Sequence, residues 1–167
     1  MNFSPVIELP AGELTILMSP GEITDPEDLP PGAPALVIAA DVRDFYIFVT
    51  PDPENPTLPL KMNLVNASEG KLQPGETLWI NLTNHTIVAQ LGESEISVEP
   101  LARTVSKEPR SGSGYYKAEL GYQTQGGEDT RKITEQQWWH DAESRQLGFI
   151  ANTGGGLPRF QLVRDFR

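Results

Sequence analysis

Apolar and polar residues alternate with a period of two along much of the chain, most clearly from Leu72 to Ser106. After Pro74-Gly75 the alternation runs through Thr77-Leu78-Trp79-Ile80-Asn81-Leu82-Thr83 and breaks at Asn84-His85. Ile87, Ala89 and Leu91 resume it, Gly92-Glu93 break it again, and Ile96 and Val98 close before Pro100. A period of two marks half-buried strands. Three such runs with tight breaks are expected to pair as an antiparallel meander, because a parallel pair needs a crossover of a dozen or more residues.

The same reading extends over the chain. Val6–Leu9 reads as a short strand, Leu14, Ile16 and Met18 as a second, and residues 22–34 as an acidic, proline-rich loop that can continue neither a helix nor a central strand. Ala35–Ala40 is a continuous apolar run, the pattern of a strand buried on both faces or central in a sheet. Phe45–Val49 and Leu58–Val65 follow. Tyr115–Tyr122, Lys132–Trp139 and a hairpin of Leu147–Ala151 with Phe160–Val163 complete about eleven strands. The one helical candidate, Thr134–Arg145, carries Trp138-Trp139, which favours strand. The expected fold is all-β: one domain over residues 1–167, a two-sheet antiparallel β-sandwich. Its core is expected to draw on Leu36, Ile38, Phe45, Ile47, Val49, Leu78, Ile80, Leu82, Ile87, Leu91, Ile96, Val98, Phe149, Leu162 and one of the tandem tryptophans.

Composition narrows the chemistry. With 167 residues the chain can bury a two-layer core, and 15 Pro with 15 Gly suit many short strands and turns. It has no Cys, which excludes disulfides, thiolate zinc sites, blue-copper sites and thiol nucleophiles. Net charge is −10, with 15 acidic against 3 basic residues in the first hundred and 8 against 10 in the remainder. The acidic first part repels phosphate backbones, so no nucleic-acid partner is expected. No run approaches the ~20 apolar residues of a membrane span. Met1-Asn2-Phe3-Ser4-Pro5 lacks the basic and apolar regions of a secretory signal, which fits a cytoplasmic protein or a mature chain carrying a start Met.

The segment Gly75-Glu76-Thr77-Leu78-Trp79-Ile80-Asn81-Leu82-Thr83-Asn84 through Val98-Glu99-Pro100 resembles core strands of secreted bacterial immunoglobulin-like or cupredoxin-like sandwiches. There a Pro-Gly turn precedes a strand that ends in an Asn-x-Thr corner. The Leu9-Pro10-Ala11-Gly12-Glu13-Leu14 opening and the Thr50-Pro51-Asp52-Pro53 loop also resemble uncharacterised bacterial envelope proteins. The resemblance implies a sandwich fold and a periplasmic or extracellular location. It carries no metal site, since a cupredoxin needs Cys with two His and this chain has only His85 and His140.

Five residues stand out as ligand-binding candidates: Trp138, Trp139, Tyr115, Tyr116 and His140. Consecutive strand residues point to opposite faces, so one tryptophan enters the core while its neighbour faces a loop, an interface or water. Exposed aromatics beside Gln136, Gln137 and His140 would make a sugar platform or a protein-docking surface; the plainer reading is one core Trp and one covered by a loop. Asp25, Glu27 and Asp28, and Asp52 with Glu54, offer oxygen ligands for Ca²⁺, but neither group matches an EF-hand, and solvated, proline-stiffened turns explain them more simply. His85 reads as a turn residue. His140, with Asp141 and Glu143 nearby, reads as a surface ion pair or the centre of a hydrolase. Gly154-Gly155-Gly156 and Ser111-Gly112-Ser113-Gly114 lack the context of a phosphate loop or a nucleophile elbow. No cofactor is expected. The expectation is a non-enzymatic accessory or binding domain of the bacterial cell envelope with a protein partner. The alternatives are a carbohydrate-binding module and a His-carboxylate hydrolase.

Overall fold

A computed structural model describes residues 4–23, 25, 30–68, 72–124, 129–152 and 156–166. Among them the fold is all-β, with twelve strands and no helix, so no helix is long and apolar enough to cross a membrane. The chain divides into two compact units, Val6–Lys71 and Leu72–Arg167, the latter together with Met1–Pro5.

The first unit holds two antiparallel pairs: β1 (Leu14–Leu17) with β2 (Ala35–Ile38), and β3 (Phe45–Pro51) with β4 (Leu60–Asn66). Ile38, Tyr46, Met62, Val65 and Ala67 are its buried apolar residues. Asn55 shapes the β3–β4 connection by accepting from the amides of Thr57 and Leu58, both at 3.0 Å. The continuous apolar run at Ala35–Ala40 is not a central strand. It forms the partner of β1 in a two-stranded ladder, with Val37 open to solvent, because no second neighbour pairs with it. Val6–Leu9, also strand-like in pattern, is exposed and unladdered.

The second unit holds two four-stranded sheets. In one, β12 (Pro158–Asp165), β11 (Arg145–Asn152), β5 (Thr77–Asn81) and β8 (Arg103–Ser106) lie in that order; in the other, β10 (Thr130–His140), β9 (Gly114–Gln123), β6 (Thr86–Leu91) and β7 (Ser94–Val98). All ladders are antiparallel except β5 with β11. Buried side chains of both sheets meet in one apolar cluster. Trp79 and Ile150 come from the first sheet, and Ile87, Ala89, Leu91, Val98, Leu120, Tyr122 and Trp138 from the second.

The Leu72–Ser106 run therefore contains a hairpin, β6–β7, but not a three-stranded meander. β5 belongs to the other sheet, and the Asn84-His85 break is a crossing between sheets. Asn81 builds that crossing. Its Nδ2 donates to the carbonyls of His85 at 2.8 Å and of Val98 and Glu99 at 3.0 Å, while its Oδ1 accepts from the amide and hydroxyl of Thr83. These bonds satisfy buried backbone groups that a ladder no longer reaches.

The core also shifts phase on β5. Trp79, absent from the expected core, joins the inter-sheet cluster, whereas Ile80 is buried on the opposite face together with its register partner Phe149. Of the other expected core residues, Ile38, Ile87, Leu91 and Val98 are buried. Leu36, Phe45, Ile47, Leu78, Leu82, Ile96 and Leu162 are half-buried. Val49 is exposed, on a strand laddered on one side only.

Candidate binding face on the β9–β10 hairpin

Strands β9 and β10 pair through ten rungs, with a bulge between Lys132 and Thr134. Near the open end the register sets Trp138 opposite Tyr116 and Trp139 opposite Tyr115. Because side chains alternate across a strand, one rung points into the core and the next points out.

The inward rung is structural. Trp138 is 8% exposed and packs 5.0 Å from the Phe160 ring and 6.4 Å from the Trp79 ring, while Tyr116 meets it edge-on at 6.2 Å. Burial pushes the Tyr116 phenol up to about 12, with the Arg164 guanidinium opposing that shift. His140, at the end rung opposite Gly114, is also buried, its ring 6.4 Å from that of Tyr116. The largest influence on His140 is burial, which lowers its pKa below the ordinary value.

The outward rung is accessible. Tyr115 is 63% and Trp139 42% exposed, and their rings meet edge to face at 5.0 Å with an interplanar angle of 78°. Such pairs are favourable because the positive ring edge meets the negative ring face. Two arginines bracket the pair. Arg110 donates from Nη1 to the Tyr115 carbonyl at 3.1 Å, and Arg164 donates from Nη2 to the Trp139 carbonyl at 2.7 Å. Gly114 makes room for the first of these, since a Cβ there would collide with the Arg110 guanidinium.

The next outward rungs are charged and polar. Lys117 faces Gln137, and Glu119 faces Glu135. Lys117 bonds both Glu119 and Glu135, and Lys132 also bonds Glu135. Hydrogen bonds from Lys132 and Lys117 hold the Glu135 carboxyl well below the usual range, and those to Glu119 and Glu135 raise Lys117. All these groups are exposed, so the network is worth little in stability but gives the face a fixed charge pattern.

The five sequence candidates thus separate. Tyr115 and Trp139 share an open face, whereas Trp138 and His140 are buried behind it and Tyr116 is half-buried there. Period-2 alternation carries the split between adjacent tryptophans but not its direction. Arg110 and Arg164 had no local signal, because each reaches its carbonyl across a loop or from the other sheet.

The remaining candidates lie elsewhere. Asp25 and Glu54 are exposed, and Asp52 accepts from the Glu54 amide in a turn. Glu27 and Asp28 fall outside the described residues. Among the described residues no three His, Cys, Asp or Glu side chains converge as a metal site. His85 packs 5.1 Å from the Tyr122 ring at the crossing between sheets.

Compared with models of protein families and with curated protein sequences, the chain matches none.

Proposed function

We propose that this chain is a non-enzymatic binding protein of the bacterial envelope, periplasmic or extracellular, which docks a protein partner on the Tyr115–Trp139 face. The observation that carries this reading is the pair of exposed rings at the open end of β9 and β10. Aromatic and arginine side chains are the residues most enriched where proteins meet, and here Arg110 and Arg164 hold the backbone carbonyls of the two exposed aromatic residues. The perpendicular rings form a ridge suited to a partner's pocket more than a flat shelf for sugar rings. The two four-stranded sheets about a shared core support an immunoglobulin-like or cupredoxin-like sandwich. The chain changes sheet between β5 and β6, β7 and β8, β8 and β9, and β10 and β11.

A photo-crosslinking amino acid at position 115, used in extracts of envelope proteins, tests the docking reading. A discrete adduct that disappears on Trp139→Ala supports it; no adduct, or one indifferent to Trp139→Ala, overturns it.

Gln137, two residues from Trp139 on the same outward face, favours a second reading, carbohydrate binding, in which a side-chain amide orients a sugar stacked on Trp139. Trp79 and Trp138 are buried, so quenching of the exposed tryptophan signal by soluble polysaccharides reports on Trp139. A saturable change absent from Trp139→Phe would favour this alternative.

A further inference from the structure

His140 closes β10 with only 3% of its surface exposed, and its Nε2 is buried without a hydrogen-bond partner among the described residues. A neutral imidazole can leave one nitrogen unpaired at the modest cost of one missing hydrogen bond. An imidazolium donates from both nitrogens and carries a charge, so the same enclosure suits it far less.

Three segments enclose the ring besides Tyr116. A Cβ on Gly75 would lie 3.6 Å from His140 Cε1 and 3.7 Å from Glu108 Cβ, which places residues 72–76 and the β8–β9 connection against it. The turn after β10 forms the third wall, since that same Cβ would lie 3.5 Å from the Ala142 carbonyl. Backbone amides close these segments on one another. Gly75 donates to the Ser144 carbonyl at 2.8 Å, Gln146 to the Glu76 carbonyl at 3.0 Å, and Ala142 to Ser113 Oγ at 3.0 Å.

We propose that His140 is a proton-operated latch: its neutral ring keeps the 72–76 and 141–144 segments closed, and its protonation opens them. Opening would fray the parallel ladder where Gln146 pairs with Thr77.

The charges around the ring come from the β8–β9 connection, the turn after β10 and β12, while Glu76 of the 72–76 wall accepts from the Gln73 amide at 2.8 Å. Glu108 and Arg110 belong to the β8–β9 connection, Asp141 to the following turn and Arg164 to β12. Two carboxylates favour the imidazolium and two guanidiniums oppose it, so burial, the largest influence, sets the direction. The phenol of Tyr116, held neutral to about 12, offers no anion. The open state takes up the proton at the ordinary 6.5, the closed state only below it. Closure is therefore fully stable above pH 6.5 and weakens as pH falls from there towards the closed-state pKa, by about tenfold per pH unit. Trp139 is the neighbouring residue, so the latch lies directly behind the outward aromatic pair; it does not depend on that pair binding anything.

Hydrogen exchange of the whole chain at pH 7.5 and 5.0, corrected for intrinsic rates, tests the latch. Protection in 72–78 and 141–147 is expected to be lower at pH 5.0 than at pH 7.5, the fall running from His140's ordinary pKa only as far as its closed-state pKa, with no matching loss in 88–98, and to stay level in His140→Gln. Equal loss in all segments, or the same loss in His140→Gln, overturns the proposal. Should His140→Gln not fold, NMR titration of the wild-type histidines, assigned with His85→Asn, decides it: titration of His140 below the ordinary value supports the latch, and titration at or above it overturns it.

Discussion

Trp79 lies flat against Gly148, the residue opposite it on the parallel strand: a Cβ at position 148 would fall 2.6 Å from Trp79 Cε3 and 2.8 Å from Cζ3. The indole is also fixed at its far end, where Nε1 donates to Ser106 Oγ at 3.1 Å. Held at both ends, the ring fills the space between the sheets and stacks near Trp138.

Gly148→Ala should therefore overpack the core. The expected loss is about 1–3 kcal/mol of unfolding free energy, read from urea denaturation. Gly21, where a Cβ meets nothing within 4 Å, supplies the control; Gly21→Ala should be close to neutral. Equal stability of the Gly148→Ala variant would mean that the indole can shift.

Asn81 should be intolerant of substitution. It is 1% exposed and its side chain bonds three carbonyls and both polar groups of Thr83. Asn81→Asp keeps the shape but sets a carboxylate against those carbonyls, with buried acceptors left unpaired. The expected cost is about 3 kcal/mol or more, and the variant should regain part of that stability as acid protonates the new carboxyl. Thermal unfolding between pH 4 and 8, against wild type, checks both the size and the sign.

Tyr116 predicts an alkaline limit. Its phenol ionises at 10.0 in the unfolded chain but is pushed up to about 12 in the fold, chiefly by burial. The folded state thus holds the proton more tightly. This stabilisation is complete below pH 10 and lost as pH rises through the interval to about 12. Tyr116→Phe should lose stability less steeply than wild type across that interval in paired denaturation curves. Identical slopes would mean that Tyr116 titrates as though exposed.

The hairpin signals were legible in sequence wherever the contacts are local. Gly92-Glu93 joins β6 to β7 as its composition demands, with Gly92 at φ 58° in the conformation that such a turn requires. Period-2 alternation also placed Trp138 and Trp139 on opposite faces of one strand. That pair is the part of the candidate face visible before folding.

The sequence by itself thus determined most of the strands and the absence of thiol chemistry, since these depend on residue type and near neighbours, but it took Val6–Leu9 for a strand and passed over β8. Tertiary structure alone decided which sheet each strand joins and which face meets the core. β5 shows why. Trp79 and Ile80 are both buried, one on each face of the sheet, so alternation has two equivalent phases there and only the packing of Trp79 on Gly148 selects between them. The same holds for Arg164, whose partner, the Trp139 carbonyl, is brought within reach only when the two sheets close on one another. His140 likewise becomes a buried base with an unpaired Nε2 largely through Gly75 and the β8–β9 connection, which are far from it in sequence. Periodicity reports that a side chain has a face, and long-range packing determines what that face meets.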